Sequence, residues 1–177
     1  MKTTNIFIFV LLLVWINVQA EPADQPLNNS PAHLELRDQF GAIQKLDFPK
    51  TNITFLVIAD WKGSREVAGW IAPIKHSFDT RIDIRGLADV SCVPGPLHGL
   101  VERRFRAAES YPVMMDWTGK AARSFAYVPG MANVLVLNCQ GRILFRAGGA
   151  VADKPLQEIY EVLTQALSLK PPHTSSK

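Results

Sequence analysis

The sequence is poor in cysteine, because only Cys92 and Cys139 occur among its 177 residues. This count excludes a framework of several disulfides and a cysteine-rich zinc site. The four histidines are scattered, and none has metal-ligand spacing with another histidine or with a cysteine. We therefore predict no metal site and no bound cofactor.

The chain also lacks a strong excess of charge of one sign. It carries 19 Lys and Arg against 16 Asp and Glu, and the two signs are interspersed. A nucleic-acid surface needs clustered cations that neutralise phosphates, so no nucleic-acid partner is expected. The short basic run at 103–106 is typical of the solvated face of a helix.

The first apolar run of the chain resembles a targeting segment. Lys2 precedes the apolar residues 6–15, and Ala20 closes a Val-Gln-Ala triplet. This pattern is typical of an export signal that is cleaved near Ala20. A membrane anchor needs roughly 20 apolar residues, and Asn17 and Gln19 interrupt this run too early. We predict a signal peptide at 1–20, a periplasmic or secreted mature protein, and no membrane association after cleavage.

The mature part is long enough for one domain with a single core. The proline-rich, polar segment after the signal predicts a disordered leader at 21–32, and the polar end predicts a disordered tail at 170–177. One domain at 33–169 lies between them, without internal repeats.

The first half of this domain has clear periodicities. Alternating apolar and polar residues around Gly41 predict a β-hairpin. Residues 53–59 and 82–90 are apolar runs typical of strands that are buried on both faces. Between them, apolar residues spaced by three or four, including Trp70 and Ile74, predict a helix from Ser64. A helix that connects two neighbouring strands makes those strands parallel.

The second half adds further elements of both kinds. Leu97, Leu100, Val101 and Phe105 lie on one stripe and predict a second helix. A short strand, a short helix at 118–126, a tight hairpin with its turn at 139–141 and a final helix follow. The whole order predicts a three-layer α/β/α domain with a mixed central sheet and an N-terminal β-hairpin.

This order of elements resembles the thioredoxin fold in its peroxiredoxin or redoxin form. The likeness covers roughly residues 34–167 and is carried by LELRDQFGAIQKL, by the strand leading into ADWKGSRE, and by VLVLNCQGRILFRAGGA. Within that superfamily, VSCVPGPLHGLVERRF followed by YPVMMDWTG makes the sequence most similar to the exported YtfJ-type proteins.

The resemblance fails at the position of the thiols. Thioredoxin-type sites carry Trp-Cys-Gly-x-Cys where the first central strand meets its helix. At that point this chain has Trp61, Lys62, Gly63, Ser64 and Arg65. The family also places a cis-proline beside the site, and Ala132 takes that position here, so a trans peptide bond is predicted. Dithiol exchange needs an attacking and a resolving thiol, and this junction has neither.

The function predicted from these residues is binding without redox chemistry. The strand-to-helix junction and Ala132 are predicted to bind a peptide, a protein or a small anion in the cell envelope. Lys62 and Arg65 flank the first turn of a helix, where free N–H groups favour anions. Trp61 offers an aromatic surface to an extended peptide.

The alternative is a one-cysteine thiol peroxidase or oxidoreductase that acts through Cys92. This residue follows the second central strand, so it reaches the sheet edge where α/β folds bind ligands. Nearby cations and His98 at a helix start would favour its thiolate. However, peroxiredoxin-like catalysis places the cysteine at the first helix, so the sequence does not establish an enzyme. Cys139 lies in the last hairpin, near the opposite end of the sheet, and no Cys92–Cys139 disulfide is predicted.

Overall fold

The computed structural model describes residues 30–169, so the predicted signal peptide, most of the predicted leader and the predicted tail lie outside the described residues. Seven strands and four helices follow one another in this part of the chain. They are β1 His33–Arg37, β2 Ile43–Asp47, β3 Thr54–Ala59, α1 Ser64–Phe78, β4 Asp83–Asp89, α2 His98–Ala108, β5 Val113–Asp116, α3 Lys120–Ser124, β6 Asn133–Leu137, β7 Ile143–Gly148 and α4 Asp153–Ser168.

Five of the strands form one mixed sheet in the order β5-β4-β3-β6-β7. Strands β3, β4 and β5 are parallel, β6 is antiparallel to β3, and β7 is antiparallel to β6. Strands β1 and β2 form a separate antiparallel hairpin. These pairings confirm the predicted mixed central sheet, the N-terminal β-hairpin and the parallel pairing of the first two central strands.

One face of the sheet packs against α1 and α4. Phe55 and Val57 of β3 belong to a buried cluster with Trp70 of α1 and Ile159 of α4. The indole N–H of Trp70 donates to the Gly149 carbonyl at 2.8 Å, so α1 is also fixed to the loop that follows β7. Because successive side chains of a strand point to opposite faces of the sheet, the residues next to Phe55 and Val57 face the other side.

The opposite face is covered by α3 and the N-terminal hairpin. Leu56 and Ile58 of β3 form a buried cluster there with Phe125, which follows α3, and with Leu46 of β2. The sheet therefore has a helical layer on one face and a layer of helix and hairpin on the other. This arrangement confirms the three-layer prediction.

The loop between β1 and β2 also protects the outer edge of β5. The side chain of Gln39 is completely buried, accepts the Val113 N–H at 2.8 Å and donates to the Tyr111 carbonyl at 2.8 Å. Arg106 of α2 donates to the Gln39 carbonyl at 2.6 Å. These bonds anchor the C-terminal half of α2 to the hairpin and the β5 edge.

Helix α2 is packed differently from α1 and α4, because none of its residues is buried. Val101 and Phe105 contact the sheet but stay partly exposed. Leu100, which the sequence predicted on the inner side of this helix together with Val101 and Phe105, is 50% exposed, and Leu97, which precedes α2, is 47% exposed. That part of the prediction was wrong, because only one edge of the apolar stripe reaches the sheet.

Candidate functional site

The junction between β3 and α1, residues 60–65, is called the corner below. Asp60 directly follows β3, and the N–H groups of Lys62 and Gly63 each donate to its Oδ1 at 2.9 Å. The Gly130 N–H donates to Asp60 Oδ2 at 2.7 Å. One carboxylate therefore closes the corner and ties it to the loop before β6.

The hydrogen bonds of Asp60 also set its charge. Burial alone would raise the pKa of this carboxyl group, but the hydrogen bonds from Gly63 and Gly130 outweigh it and hold the pKa below its ordinary value. Asp60 is consequently ionised at neutral pH. Burial and the charge of Asp60 act in the opposite direction on the neighbouring Tyr127 and raise the pKa of its phenol.

The corner and Ala132 lie side by side, as the sequence predicted. A Cβ on Gly63 would lie 2.3 Å from the carbonyl carbon of Met131, so this position has room only for glycine. The Ala132 N–H donates to Glu66 Oε2 at 2.9 Å. The peptide bond before Ala132 is trans, which confirms the prediction drawn from the missing proline.

Four residues of the corner are exposed. Trp61 is 69% exposed, and Lys62, Ser64 and Arg65 are also exposed. The backbone donors beside them are engaged, because Lys62 and Gly63 donate to Asp60 and the Ser64 N–H donates to the Asp60 carbonyl at 2.9 Å. A small anion at the corner would compete with a carboxylate that the chain itself supplies.

The two cysteines are free and far apart in the fold. Cys92 is exposed in the loop after β4, close to the corner. Cys139 lies in the β6–β7 turn, and its thiol donates to the Thr51 carbonyl at 3.3 Å. The absence of a bridge between these two residues confirms the prediction. His98, considered as a partner for Cys92, instead donates from Nε2 to the Val93 carbonyl at 3.1 Å and stacks on Trp117.

The main feature that the sequence reasoning missed is a pocket between α1 and α2. It has a volume of about 540 Å³ and begins at the corner, beside Trp61 and Ser64. Its interior is lined by apolar side chains from α1, from α2 and from the sheet. The residues that matter below are Val57, Val67, Ile71, Ala88, Val101 and Phe105.

The pocket exists because Gly86 and helix α2 leave space over β4. Gly86 pairs with Val57 and Val113 in the parallel register and contributes no side chain to the floor. Helix α2, which forms one side of the pocket, has no buried residue and does not fill this space. The pocket is half open to solvent, and its volume lies within the range of sites that bind small organic ligands. A glycine in the middle of a predicted strand was the one sequence signal for it.

Two classes of site receive no support in the described part of the chain. Residues 30–169 contain no group of three or more His, Cys, Asp or Glu side chains arranged to hold a metal ion. Within the same residues, no helix has the length and apolar character needed to cross a membrane.

Comparison with known proteins identifies the fold. No protein-family model and no curated protein matches the sequence. A protein assigned as the thiol:disulfide interchange protein DsbE from Chlorobium tepidum is similar with a TM-score of 0.61 at 16% identity, over 79% of this chain and 96% of its own. StoA from Bacillus subtilis is similar with a TM-score of 0.58 at 15% identity, over 76% and 98%.

A third similar structure is the exposed lipoprotein thioredoxin Etrx1 from Streptococcus pneumoniae, with a TM-score of 0.57 at 14% identity, over 76% of this chain and 99% of its own. Each of these proteins is covered almost completely, so the likeness extends over a whole domain. At such low identities it establishes the thioredoxin-like fold and leaves activity open.

Proposed function

We propose that this chain is an exported thioredoxin-fold protein that binds a ligand at the strand-end edge of its sheet and does not exchange disulfides. In this proposal the signal peptide is removed near Ala20 and the mature protein acts in the cell envelope, as the resemblance to YtfJ-type proteins implies. The exposed lipoprotein among the similar structures is consistent with that compartment. The proposal rests chiefly on one observation, which is an apolar pocket of about 540 Å³ beside a corner without sulfur.

The chemistry of the corner supports the first half of this proposal. Disulfide exchange requires a thiolate that attacks and a second thiol that resolves the mixed disulfide. Lys62 and Arg65 stand at the two positions concerned, and Cys139 lies at the other end of the sheet. The remaining thiol, Cys92, has no second cysteine near it with which to close a cycle.

The pocket supports the second half. Its volume lies within the range of roughly 300–1,000 Å³ that is typical of sites for small organic ligands. It opens outside the carboxyl ends of β3 and β4, where open α/β sheets usually bind their ligands. Exposed Trp61 at its mouth can add contact area to whatever is bound.

The sequence predicted a peptide, a protein or a small anion as the ligand. The geometry favours a ligand that enters the pocket. Ala132 is completely buried and its N–H is taken by Glu66, so this residue is not open to pair with an extended peptide. The donors that would hold a small anion at the corner are taken by Asp60. Neither limitation applies to a ligand whose apolar part enters between α1 and α2.

A second candidate function is favoured by one observation. Cys92 is exposed and lines the pocket, so a bound ligand would lie beside a free thiol. A one-cysteine peroxidase or oxidoreductase would use that arrangement. It would have to take its reducing equivalents from another thiol, because the chain supplies no resolving cysteine at this edge.

Two measurements on the purified mature protein separate the candidates. A binding protein leaves insulin disulfides and hydrogen peroxide unchanged in the presence of a thiol reductant, and Cys92→Ser does not alter its behaviour. Turnover of either substrate that Cys92→Ser abolishes would refute the binding proposal and establish the enzyme. Fractionation of the native host and N-terminal sequencing test export, and a mature protein that still begins at Met1 in the cytoplasm contradicts it.

A further inference from the structure

The charged residues around the pocket narrow the chemistry of its ligand. Four charged side chains line it, namely Asp60, Asp89, Glu109 and Arg104. A charge that the chain already satisfies contributes little to recognition, whereas an unpaired one at the edge of an apolar pocket can select a ligand. The partners of these four groups are therefore decisive.

The three acids are engaged within the chain. Asp60 accepts three backbone N–H groups, as described above. Asp89 Oδ1 accepts the Ser91 N–H at 3.1 Å. Burial, and after it the neighbouring Glu109 carboxylate, raises the pKa of the Tyr111 phenol to about 12. Each of these carboxylates has a donor within the chain, and none of them forms an ion pair among residues 30–169.

The arginine differs from them. Arg104 makes no ion pair and no hydrogen bond with any residue that the structure describes, whereas Arg106 on the same helix pairs with Glu102. It stands beside Val101 and Phe105, at the boundary between the pocket and solvent. The pocket thus combines an apolar interior with three carboxylates that have donors within the chain and one arginine without a partner among residues 30–169.

We propose that this pocket binds an amphipathic anion, such as a chain carboxylate, with its hydrocarbon part between α1 and α2 and its charged end at Arg104. The assignment rests on the proposed binding function and specifies its ligand class. An apolar body fits the interior, because a polar group placed there would lose its hydration without gaining a partner. An anionic end fits Arg104, because guanidinium groups bind carboxylates and phosphates with paired hydrogen bonds.

Three probes with the same ten-carbon chain test the ligand class. Decanoate, 1-decanol and decyltrimethylammonium are titrated into the mature protein by calorimetry, below their micelle concentrations. We expect decanoate to bind most tightly and decyltrimethylammonium most weakly. Arg104→Met keeps the length of the side chain and removes its charge. It should weaken decanoate binding by roughly three- to tenfold and leave 1-decanol unchanged.

Two further variants locate the site. Arg103→Met removes a neighbouring exposed arginine that does not line the pocket, and it should leave decanoate binding unchanged. Gly86→Val fills the floor, because a Cβ there meets only Val113 side-chain atoms at 3.5 Å or more. The variant should stay folded and lose binding of all three probes.

The cysteines provide a readout that needs no variant. Cys92 lines the pocket and Cys139 lies at the far end of the sheet. Decanoate should slow maleimide labelling of Cys92 at least severalfold and leave the labelling of Cys139 unchanged, as peptide mass spectrometry would show. Protection of Cys92 also shows whether decanoate occupies the pocket if Gly86→Val does not fold.

Several outcomes would overturn this assignment. Equal affinity for decanoate and 1-decanol, with no effect of Arg104→Met, refutes the anionic ligand while the binding function stands. Absence of both probe binding and Cys92 protection refutes the pocket. Flotation with anionic phospholipid vesicles without decanoate binding indicates a membrane surface instead. A concentration-dependent dimer that shields Cys92 without ligand indicates that a second copy covers the pocket. Thiol turnover in the redox assays contradicts the proposed function itself.

Discussion

Replacing Gly63 by alanine forces a methyl group against the backbone of the loop before β6. The new Cβ would lie 2.3 Å from the carbonyl carbon and 2.4 Å from the carbonyl oxygen of Met131, and 2.7 Å from the Ala132 nitrogen. Carbon atoms in contact prefer separations of roughly 3.5–4.0 Å, so one of the two segments has to move by about 1 Å. The obstacle is backbone and cannot be relieved by a side-chain rotation.

The size of the effect follows from what holds Ala132 in place. Its N–H donates to Glu66, and its carbonyl accepts the Gly149 N–H at 2.8 Å. A shift of this peptide weakens both bonds, each worth about 1 kcal/mol, and overpacking of a filled site costs about 1–3 kcal/mol more. We therefore expect Gly63→Ala to lower the free energy of unfolding by about 3–5 kcal/mol, against a total of about 5–15 kcal/mol for a domain.

Urea denaturation followed by tryptophan fluorescence measures this loss. The midpoint should fall by about 2 M for a domain of this size. Gly99→Ala is the matched control, since it adds the same methyl group in α2 with nothing within 4 Å. It should raise the free energy of unfolding by about 0.5–1 kcal/mol through helix propensity. If Gly63→Ala keeps the wild-type midpoint while Gly99→Ala behaves as expected, the corner is not packed on the loop before β6.

Three further predictions concern the same edge. Because the pKa of Asp60 is lowered in the folded protein, its ionised form contributes fully to stability above the ordinary pKa of 3.8, and this contribution is lost as the pH falls through the folded-state pKa. Asp60→Asn should therefore reduce the acid dependence of the urea midpoint below about pH 4. An unchanged pH profile of the midpoint contradicts this. The side chain of Asn133 makes three hydrogen bonds to the backbone of residues 128–131. Asn133→Ala should lower the free energy of unfolding by about 2–4 kcal/mol. A loss below about 1 kcal/mol in urea denaturation would show that these bonds do not shape the loop. In the folded protein, a maleimide should label the exposed Cys92 faster than the partly buried Cys139. Denaturation should remove this difference, so equal labelling rates of the two cysteines already in the folded protein contradict the described exposures.

The sheet and its two main helices could be predicted because each carries a strong local pattern. The five residues of β3 after Thr54 are apolar, which is typical of a strand covered on both faces, and all six residues of the strand are buried. Trp70 and Ile74 recur at helical spacing and are completely buried. For these elements the pattern alone determines which side faces the core, since both the sheet and the helix must bury a complete apolar face.

The placement of α2 could not be predicted in the same way. Its apolar residues satisfy helical spacing, yet spacing does not say how far a helix lies from the sheet. One of the bonds that hold α2 in place comes from Arg106, which donates to the Gln39 carbonyl in a hairpin that lies much earlier in the chain. Since the pocket is the space left by this placement and by Gly86, it became visible only in three dimensions.

The row of aspartates at the strand ends explains why we place the proposed binding at this edge in the pocket. Asp60, Asp89 and Asp116 stand at or directly after the ends of the parallel strands β3, β4 and β5, in neighbouring register. Each accepts an N–H from the loop that follows its own strand. The polar groups that a catalytic edge would present to a substrate are used here to close three loops. Besides the exposed side chains of the corner, a ligand at this edge can use the apolar space between the helices and the unpaired charge of Arg104, and both lie outside the corner where a thiol site would stand.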